Sequence, residues 1–435
     1  MKNGWTAGQY SLYRAVLGGY LFVHYCGLVA WGPELFSRAG VLPNPWVSPL
    51  ARLFPNILVI WDSPRFVEFF LILAVVMSVL FAIGLWDRFA AVTLWYVSTC
   101  LLDRNPLIAN PALPFLGWLL LAHALLPKTP YLSLSVRDRD EAVARWRMPP
   151  QLFAAAWLLM ALGYTYSGLN KLGSPSWLDG SALTRILASP LARPGLFRDV
   201  LLHLPASVLR CASWSALALE IAFAPLSLVR RARPWIWSGM CALHLSLFLL
   251  VAFPDLTAGM LILHLFTFDP SWIPASQSSA RENIFYDGSC GLCHWAVRFV
   301  IGEDISERKF RFAPLGGQVF ESLIPFAQRV RLPDSLVVVT TNGRILLRSA
   351  AAIHILRRLG GLWICVAGLL KLLPHRLADD TYDFIASSRY RLFSRTSQIC
   401  LIIPPHLVCI AEGKGCRAAQ AVSESRNAAG GSLAV

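Results

Sequence analysis

Residues 283–294 read Asn-Ile-Phe-Tyr-Asp-Gly-Ser-Cys-Gly-Leu-Cys-His. The run Asn283–Asp287 is mostly apolar and short, which predicts a buried strand. Gly288–Gly291 supply a turn. Leu292–Ile301 then carry Cys293, Ala296, Val297 and Val300 at helical spacing and predict a helix. Strand, C-x-x-C and helix in that order put a pair of sulfurs at a helix N-terminus. The unsatisfied N–H groups and the macrodipole there favour negative charge, so a thiolate at Cys290 is stabilised and becomes the attacking nucleophile. Cys293 lies almost one turn on and resolves the mixed disulfide that Cys290 forms. Asp287 reads either as the acceptor of the Cys293 proton, if buried, or as a turn former.

Downstream, strands are expected at Phe310–Ala313, Ser335–Thr340 and Arg344–Leu347, the last two joined by the hairpin signal Asn342-Gly343. Helices follow at about 349–359, 362–373 and 376–387. The order is that of a soluble α/β thioredoxin-like domain, spanning 283–411 after a polar linker over 271–282. Pro333 is the one candidate for the proline that such domains place before the third strand. Residues 412–435, rich in Ala, Gly and Ser, read as a disordered tail.

Three other chemistries share the C-x-x-C spacing. A structural zinc site needs a second ligand pair, and Cys400, Cys409 and Cys416 are nine and seven residues apart rather than three. Cys290-Gly-Leu-Cys293-His294 also has the C-x-x-C-H form of haem attachment, yet no methionine follows Met260 to serve as second axial ligand. The third alternative is an inert pair of core cysteines. The expectation is therefore a dithiol with no metal and no covalently bound cofactor.

Before residue 271 the chain has a different character. Of the 435 residues, 56% are hydrophobic and only 15% charged, far from the soluble average. The apolar residues come in long runs, with expected spans at about 10–32, 66–86, 88–102, 110–127, 150–169, 207–229, 234–253 and 255–269. This predicts a polytopic α-helical membrane bundle of about eight spans over residues 1–275. The first span lacks a small-residue cleavage site and is followed by others, so it reads as a retained helix rather than a signal peptide. Lys128, Arg137, Arg139, Arg145 and Arg147 in one loop, and Arg230, Arg231 and Arg233 in another, place both loops and the C-terminal domain in the cytoplasm. The chain is thus expected to be a multi-pass protein of the inner (cytoplasmic) membrane.

Half of the formal charge of +14 lies on either side of residue 280. It brackets apolar spans rather than marking one soluble face among stacking aromatics, so the expected partner is anionic lipid and not nucleic acid. Cys26, Cys100, Cys211 and Cys241 fall in or beside apolar spans, which excludes a secreted disulfide framework and makes them small packing residues.

Polar groups within apolar spans are expensive and therefore informative: Arg14, His24, Glu68, His123, Glu220, His244 and His264. Glu220 and His244 fall mid-span and mark a polar cavity or helix-to-helix hydrogen bonds. Lys171 closes an apolar helix before the Trp177-Leu-Asp-Gly180 turn. It reads as a lysine snorkelling at the interface beside the belt residue Trp177, or as a partly desolvated amine able to act as a base.

Two resemblances follow from these residues. Phe285-Tyr-Asp-Gly-Ser-Cys-Gly-Leu-Cys293, with Arg348-Ser-Ala-Ala-Ala-Ile-His-Ile-Leu356 and Ser388-Arg-Tyr-Arg-Leu-Phe393, resembles the DCC family of thiol-disulfide oxidoreductases, named for the pattern here formed by Asp287, Cys290 and Cys293. The resemblance covers about 283–405 and implies a thioredoxin-like fold with dithiol chemistry on an unknown protein partner. The region 8–272 resembles the HTTM domain, related to vitamin K-dependent γ-carboxylase. It does so through Ser11-Leu-Tyr-Arg-Ala15, Asp103-Arg-Asn-Pro106, Gly168-Leu-Asn-Lys-Leu172 with Trp177 and Gly180, and the helix bearing His244. That resemblance implies Lys171 as a catalytic base on the external face. The implied substrate is a quinone or vitamin K-type hydroquinone. Asn170 stands where the carboxylase has a further lysine, and the large lumenal domain has no counterpart, which argues against protein γ-carboxylation.

The sequence thus predicts a membrane-anchored protein-disulfide reductase with catalytic Cys290 and Cys293, assisted by Asp287. A membrane site of Lys171, Glu220 and His244 would take a lipophilic substrate. Two alternatives stand beside it: a carboxylase- or epoxidase-like membrane enzyme with an accessory dithiol, and a transporter or scaffold carrying a non-catalytic cytosolic module.

Overall fold

The computed structural model describes residues 3–48, 54–108, 110–127, 131, 146–273, 280–304, 309–330, 332–333 and 335–392. Most of the basic loop used for orientation, the three C-terminal cysteines and the expected tail lie outside the described residues. The chain forms two compact units, a helical one running from Tyr10 to Asp269 and a second one that holds Gly4–Gln9 and the chain from Pro270 on.

Each of the eight expected spans contains a helix: α1 (Ala7–Val29), α2 (Pro64–Ile83), α3 (Asp87–Arg104), α4 (Leu113–Leu125), α5 (Pro150–Lys171), α6 (Ala206–Leu228), α7 (Arg233–Leu250) and α8 (Pro254–Thr267). Only α1, α2, α5 and α6 are both long and apolar enough to cross a membrane among the described residues. The difference from eight is physical. α4 and α8, at 13 and 14 residues, rise only about 20 Å against a hydrocarbon core of about 30 Å. α3 begins at Asp87-Arg88 and ends at Asp103-Arg104, charges that shorten its apolar stretch. The four long helices expose large apolar side chains outward, among them Val23, Phe69, Leu158 and Val208.

Several buried polar residues of this unit pair with one another. Arg14 of α1 lies 3.4 Å from Asp87, which His123 of α4 also approaches at 3.4 Å, and the other ring nitrogen of His123 is 2.9 Å from the Tyr10 hydroxyl. Asp103 accepts from Ser48 Oγ and Asn56 Nδ2, while Arg104 donates to the Leu42 carbonyl. Arg14, Asp103 and Arg104 of the two motif segments are thus structural. α2 is capped by Ser63, which accepts from the Phe66 N–H, and ends at Gly84 with φ +69°. A Cβ at Gly84 would lie 2.7 Å from the Arg14 guanidinium, so the turn into α3 requires glycine twice over.

The second unit contains a small mixed sheet with helices. Its elements are β1 (Glu282–Tyr286), α9 (Gly291–Glu303), β2 (Phe310–Pro314), α10 (Gln318–Leu323), β3 (Val337–Val339), β4 (Ile345–Leu347), α11 (Arg348–Leu359), α12 (Leu362–Lys371) and α13 (His375–Leu392). The sheet order is β2-β1-β3-β4. β1 and β2 are parallel, joined across α9, while β3 runs antiparallel to both β1 and β4. The expected third strand over 335–340 is shorter, at 337–339, because the Thr340–Arg344 turn closes directly on it. Phe285, Ala313, Val319, Phe320, Ile324, Val337 and Val339 form the core on one face. The central strands β1 and β3 are covered on both faces, as the burial of Ile284, Phe285, Val337 and Val338 shows.

Two buried carboxylates tie this unit together. Glu282 on β1 takes the His354 ring at 2.7 Å, with Arg358 at 3.6 Å. Glu303, the last residue of α9, is wholly buried and accepts from the Thr6 hydroxyl, from the Gly8 N–H at 2.7 Å and from the Trp363 indole N–H at 2.7 Å. Burial raises its carboxyl above the ordinary carboxylate range, against the pull of those three donors.

Candidate functional site

Cys290 is the N-cap of α9 in extended conformation, and its Sγ accepts the Cys293 N–H at 3.4 Å. The sulfur therefore occupies a capping position that serine or aspartate fills elsewhere. Both cysteines are free thiols. Cys290 is 0% exposed and Cys293 half-buried, so the sulfur in the stabilised position is the covered one. Burial, with the hydrogen bond and charge of the Cys290 sulfur, pushes the Cys293 thiol up to about 12, against the pull of the Asp287 backbone and the Arg389 guanidinium.

Asp287 ends the run that leads out of β1. One carboxylate oxygen accepts from both the N–H and the hydroxyl of Ser289 at 2.8 Å, and the other faces Arg389 of α13 at 3.5 Å. His294 is buried, and its Nε2–H donates to the Gly288 carbonyl at 2.8 Å, locking the turn. Gly288 and His294 thus fix the loop from both ends.

The three segments that carry the C-terminal resemblance converge on this edge of the sheet. The register aligns Phe285, Val337 and Leu347, so the end of β1, the start of β3 and the end of β4 lie side by side. α13 runs along them. Asp379 accepts from the Ser349 hydroxyl, Tyr382 accepts from the Leu336 N–H at 2.9 Å, Asp383 faces Arg348 at 3.3 Å and Arg389 faces Asp287. Spacings of three, four and ten residues from Asp379 place these groups along one side of the helix. A cavity of about 380 Å³ opens here, lined by Leu332, Pro333, Leu347, Arg348 and Asp379. Pro333 is joined by a trans bond, and no cis peptide occurs among the described residues. Sequence reasoning placed the sulfurs and Asp287 but missed α13 as their cover; the quoted Ser388-Arg389 dipeptide was the one signal for it.

In the helical unit, Lys171 and Glu220 form a direct ion pair, with Ser167 Oγ 3.2 Å from the ammonium and the Trp177 ring 4.8 Å below it. His244 does not touch this pair. It meets Tyr164, whose hydroxyl lies 2.7 Å from its Nε2, and the Tyr164 ring also packs on His264. The tautomer of His264 follows from its neighbour. His264 Nδ1 lies 3.0 Å from the Met260 carbonyl, which only accepts, so a neutral His264 is protonated at Nδ1. The Tyr164 hydroxyl both donates and accepts, so its bond to His244 Nε2 is compatible with either tautomer of His244. His244 Nδ1 and His264 Nε2 are buried without a hydrogen-bond partner among the described residues. Tyr164 and His264 were not among the residues singled out for this site. Among the described residues no cluster of three metal-ligating side chains occurs in either unit.

Comparison with known proteins agrees with the C-terminal geometry. The DCC1-like thiol-disulfide oxidoreductase family model matches residues 284–395. The uncharacterized protein YuxK of Bacillus subtilis is 31% identical over 136 residues, covering 30% of this chain and 94% of that protein. A chloroplastic DCC family protein of Arabidopsis thaliana is 28% identical over 129 residues, covering 29% of this chain and 74% of that protein. No solved structure matches the chain. With a dithiol capping α9, Arg389 of α13 folded back onto Asp287 beside it, and a 31% identical relative matched over 94% of its length, the chain belongs through its C-terminal domain to the DCC1-like thiol-disulfide oxidoreductases.

Proposed function

We propose that this protein is a membrane-anchored disulfide reductase in which Cys290 attacks and Cys293 resolves. The observation that carries the reading is the Cys290 sulfur at the N-cap of α9, taking the Cys293 N–H, beside a Cys293 thiol held protonated by burial and by its neighbour. The sheet order β2-β1-β3-β4, with β1 and β2 parallel across α9 and β3 antiparallel to its neighbours, supports a thioredoxin-like fold. In the first step the Cys290 thiolate forms a bond to one sulfur of a partner disulfide, and the other sulfur leaves as a thiolate that takes a proton from solvent. In the second, Cys293 loses its proton, with Asp287 as the acceptor, and attacks Cys290 Sγ. The intramolecular disulfide forms and the partner departs with two electrons. An external thiol donor returns the domain to the dithiol. The cavity at Pro333 and Arg348 is the docking place of the partner segment. Because Cys290 is covered, attack requires α13 or a neighbouring side chain to give way.

The test is a redox titration of the full-length protein with thiol labelling in a dithiothreitol buffer. The reading expects a two-electron couple that Cys290→Ser abolishes, and Cys293→Ser accumulating a mixed disulfide with partner thiols. Two thiols that never pair would end it.

A second reading concerns the helical unit, and the unpartnered His244 Nδ1 and His264 Nε2 favour it. Two buried ring nitrogens without partners suit a lipophilic molecule bearing a carbonyl and a hydroxyl, the chemistry of a quinone or hydroquinone, with the Lys171–Glu220 pair nearby. This is the HTTM-like role, with the helical region crossing the inner membrane and the dithiol domain in the cytoplasm. Oxygen consumption with a reduced quinone, lost in Lys171→Ala, tests it.

A further inference from the structure

The turn from α12 into α13 reads Leu369-Leu-Lys-Leu-Leu-Pro-His-Arg-Leu377. On a domain built around a packed sheet, Leu369, Leu372, Leu373 and Leu377 are 67%, 81%, 40% and 52% exposed. Lys371, His375 and Arg376 are exposed among them, and none has an acidic partner within ion-pair distance among the described residues. Asp380 is the one exposed acid within a turn of Arg376. α13 turns another side, with Asp379, Tyr382, Asp383 and Arg389, toward the sheet and the dithiol loop.

We propose that this turn inserts into the surface of an anionic lipid bilayer. Interfacial attachment takes two signals, an apolar group that enters the acyl boundary and basic groups that meet the headgroups, and the nine residues supply both. The lysine and arginine stems lie along the leucines while their heads stay in water. The bilayer is within reach by covalent tether. Fifteen Cα steps separate Thr267, the end of α8, from Glu282, the start of β1, at most about 50 Å of chain. The proposal rests on the membrane reading of the helical region, and the insertion places the dithiol domain against the surface rather than free in solution.

The experiment uses full-length protein reconstituted in vesicles of phosphatidylcholine with phosphatidylglycerol, or of phosphatidylcholine alone. Leu372→Cys is labelled with a membrane-impermeant maleimide, corrected for the parent protein. It is compared with Leu323→Cys on α10, which is 45% exposed on the same domain and corrects for vesicle orientation. The expected result is Leu372→Cys labelling several-fold more slowly than Leu323→Cys in anionic vesicles. The two rates should approach each other in phosphatidylcholine alone and when Lys371→Glu and Arg376→Glu are added. Equal labelling in anionic vesicles, with the protein still floating with the lipid, overturns the insertion and leaves the membrane reading standing. Protection indifferent to lipid charge and to both reversals overturns it too, in favour of a second copy or the segment 393–435 as cover. A protein that does not float with vesicles overturns both.

Discussion

Arg389 of α13 stands 3.5 Å from the carboxylate of Asp287, the residue that opens the dithiol turn, with both side chains largely withdrawn from solvent. One ion pair therefore joins the last described helix to the sulfur-bearing loop across about a hundred residues of chain. The guanidinium acts on two groups. It holds Asp287 in place and pulls the Cys293 thiol down from where burial would leave it.

Arg389→Ala is expected to move the Cys293 thiol further upward, so that the resolving step needs a higher pH while the first attack is little changed. Leaving Asp287 without its partner costs roughly 1–3 kcal/mol as well. Stopped-flow rates of the two steps across pH check this. A resolving step with an unmoved pH profile would show that Arg389 only braces the helix.

Glu303 supplies a pH dependence with a definite sign. Its carboxyl is raised by burial, so the folded chain holds a proton that the unfolded chain releases at ordinary carboxylate pH. Stability is then highest below the ordinary value and falls as pH rises through the folded one. Glu303→Gln keeps an oxygen for the donors and removes the titration. Melting curves of the full-length protein between about pH 4 and 8 should fall less steeply for the variant, and parallel curves would remove Glu303 from the account.

Lys171→Met leaves Glu220 as a poorly hydrated, unpaired charge and is expected to destabilise the detergent-solubilised protein by about 1–3 kcal/mol, discounted for the partial exposure of the lysine. Adding Glu220→Gln should recover most of that loss. A double variant as unstable as the single one would mean that the lysine matters for something other than this pair.

Gly168 lets α5 and α6 approach closely, since an added Cβ would sit 2.9 Å from the Ile221 backbone nitrogen and 3.0 Å from Glu220 Cβ. Gly168→Leu should cost about 1–3 kcal/mol by overpacking. Gly173→Ala, whose nearest contact would be 3.4 Å, should be silent. Comparison of thermal aggregation of the two variants decides it.

Much of this protein was legible along the chain because it rests on local patterns. Hydropathy runs placed eight helical segments, and N-I-F-Y-D-G-S-C-G-L-C placed a strand, a turn and a capped helix, since a buried strand is continuously apolar and a helix start takes a capping side chain. The Asn342-Gly343 turn likewise announced its hairpin. What tertiary structure alone decided are pairings between residues far apart, for which a chain has no local signature: Asp287 with Arg389, Glu282 with His354, Glu303 with Thr6 and Trp363, and Tyr164 between His244 and His264. The sequence by itself named the sulfurs and the polar groups inside the spans. Which of those groups touch, which sulfur is covered and which histidine nitrogens are left without partners depended on how helices and strands pack, because contact and burial are properties of the folded surface and not of spacing.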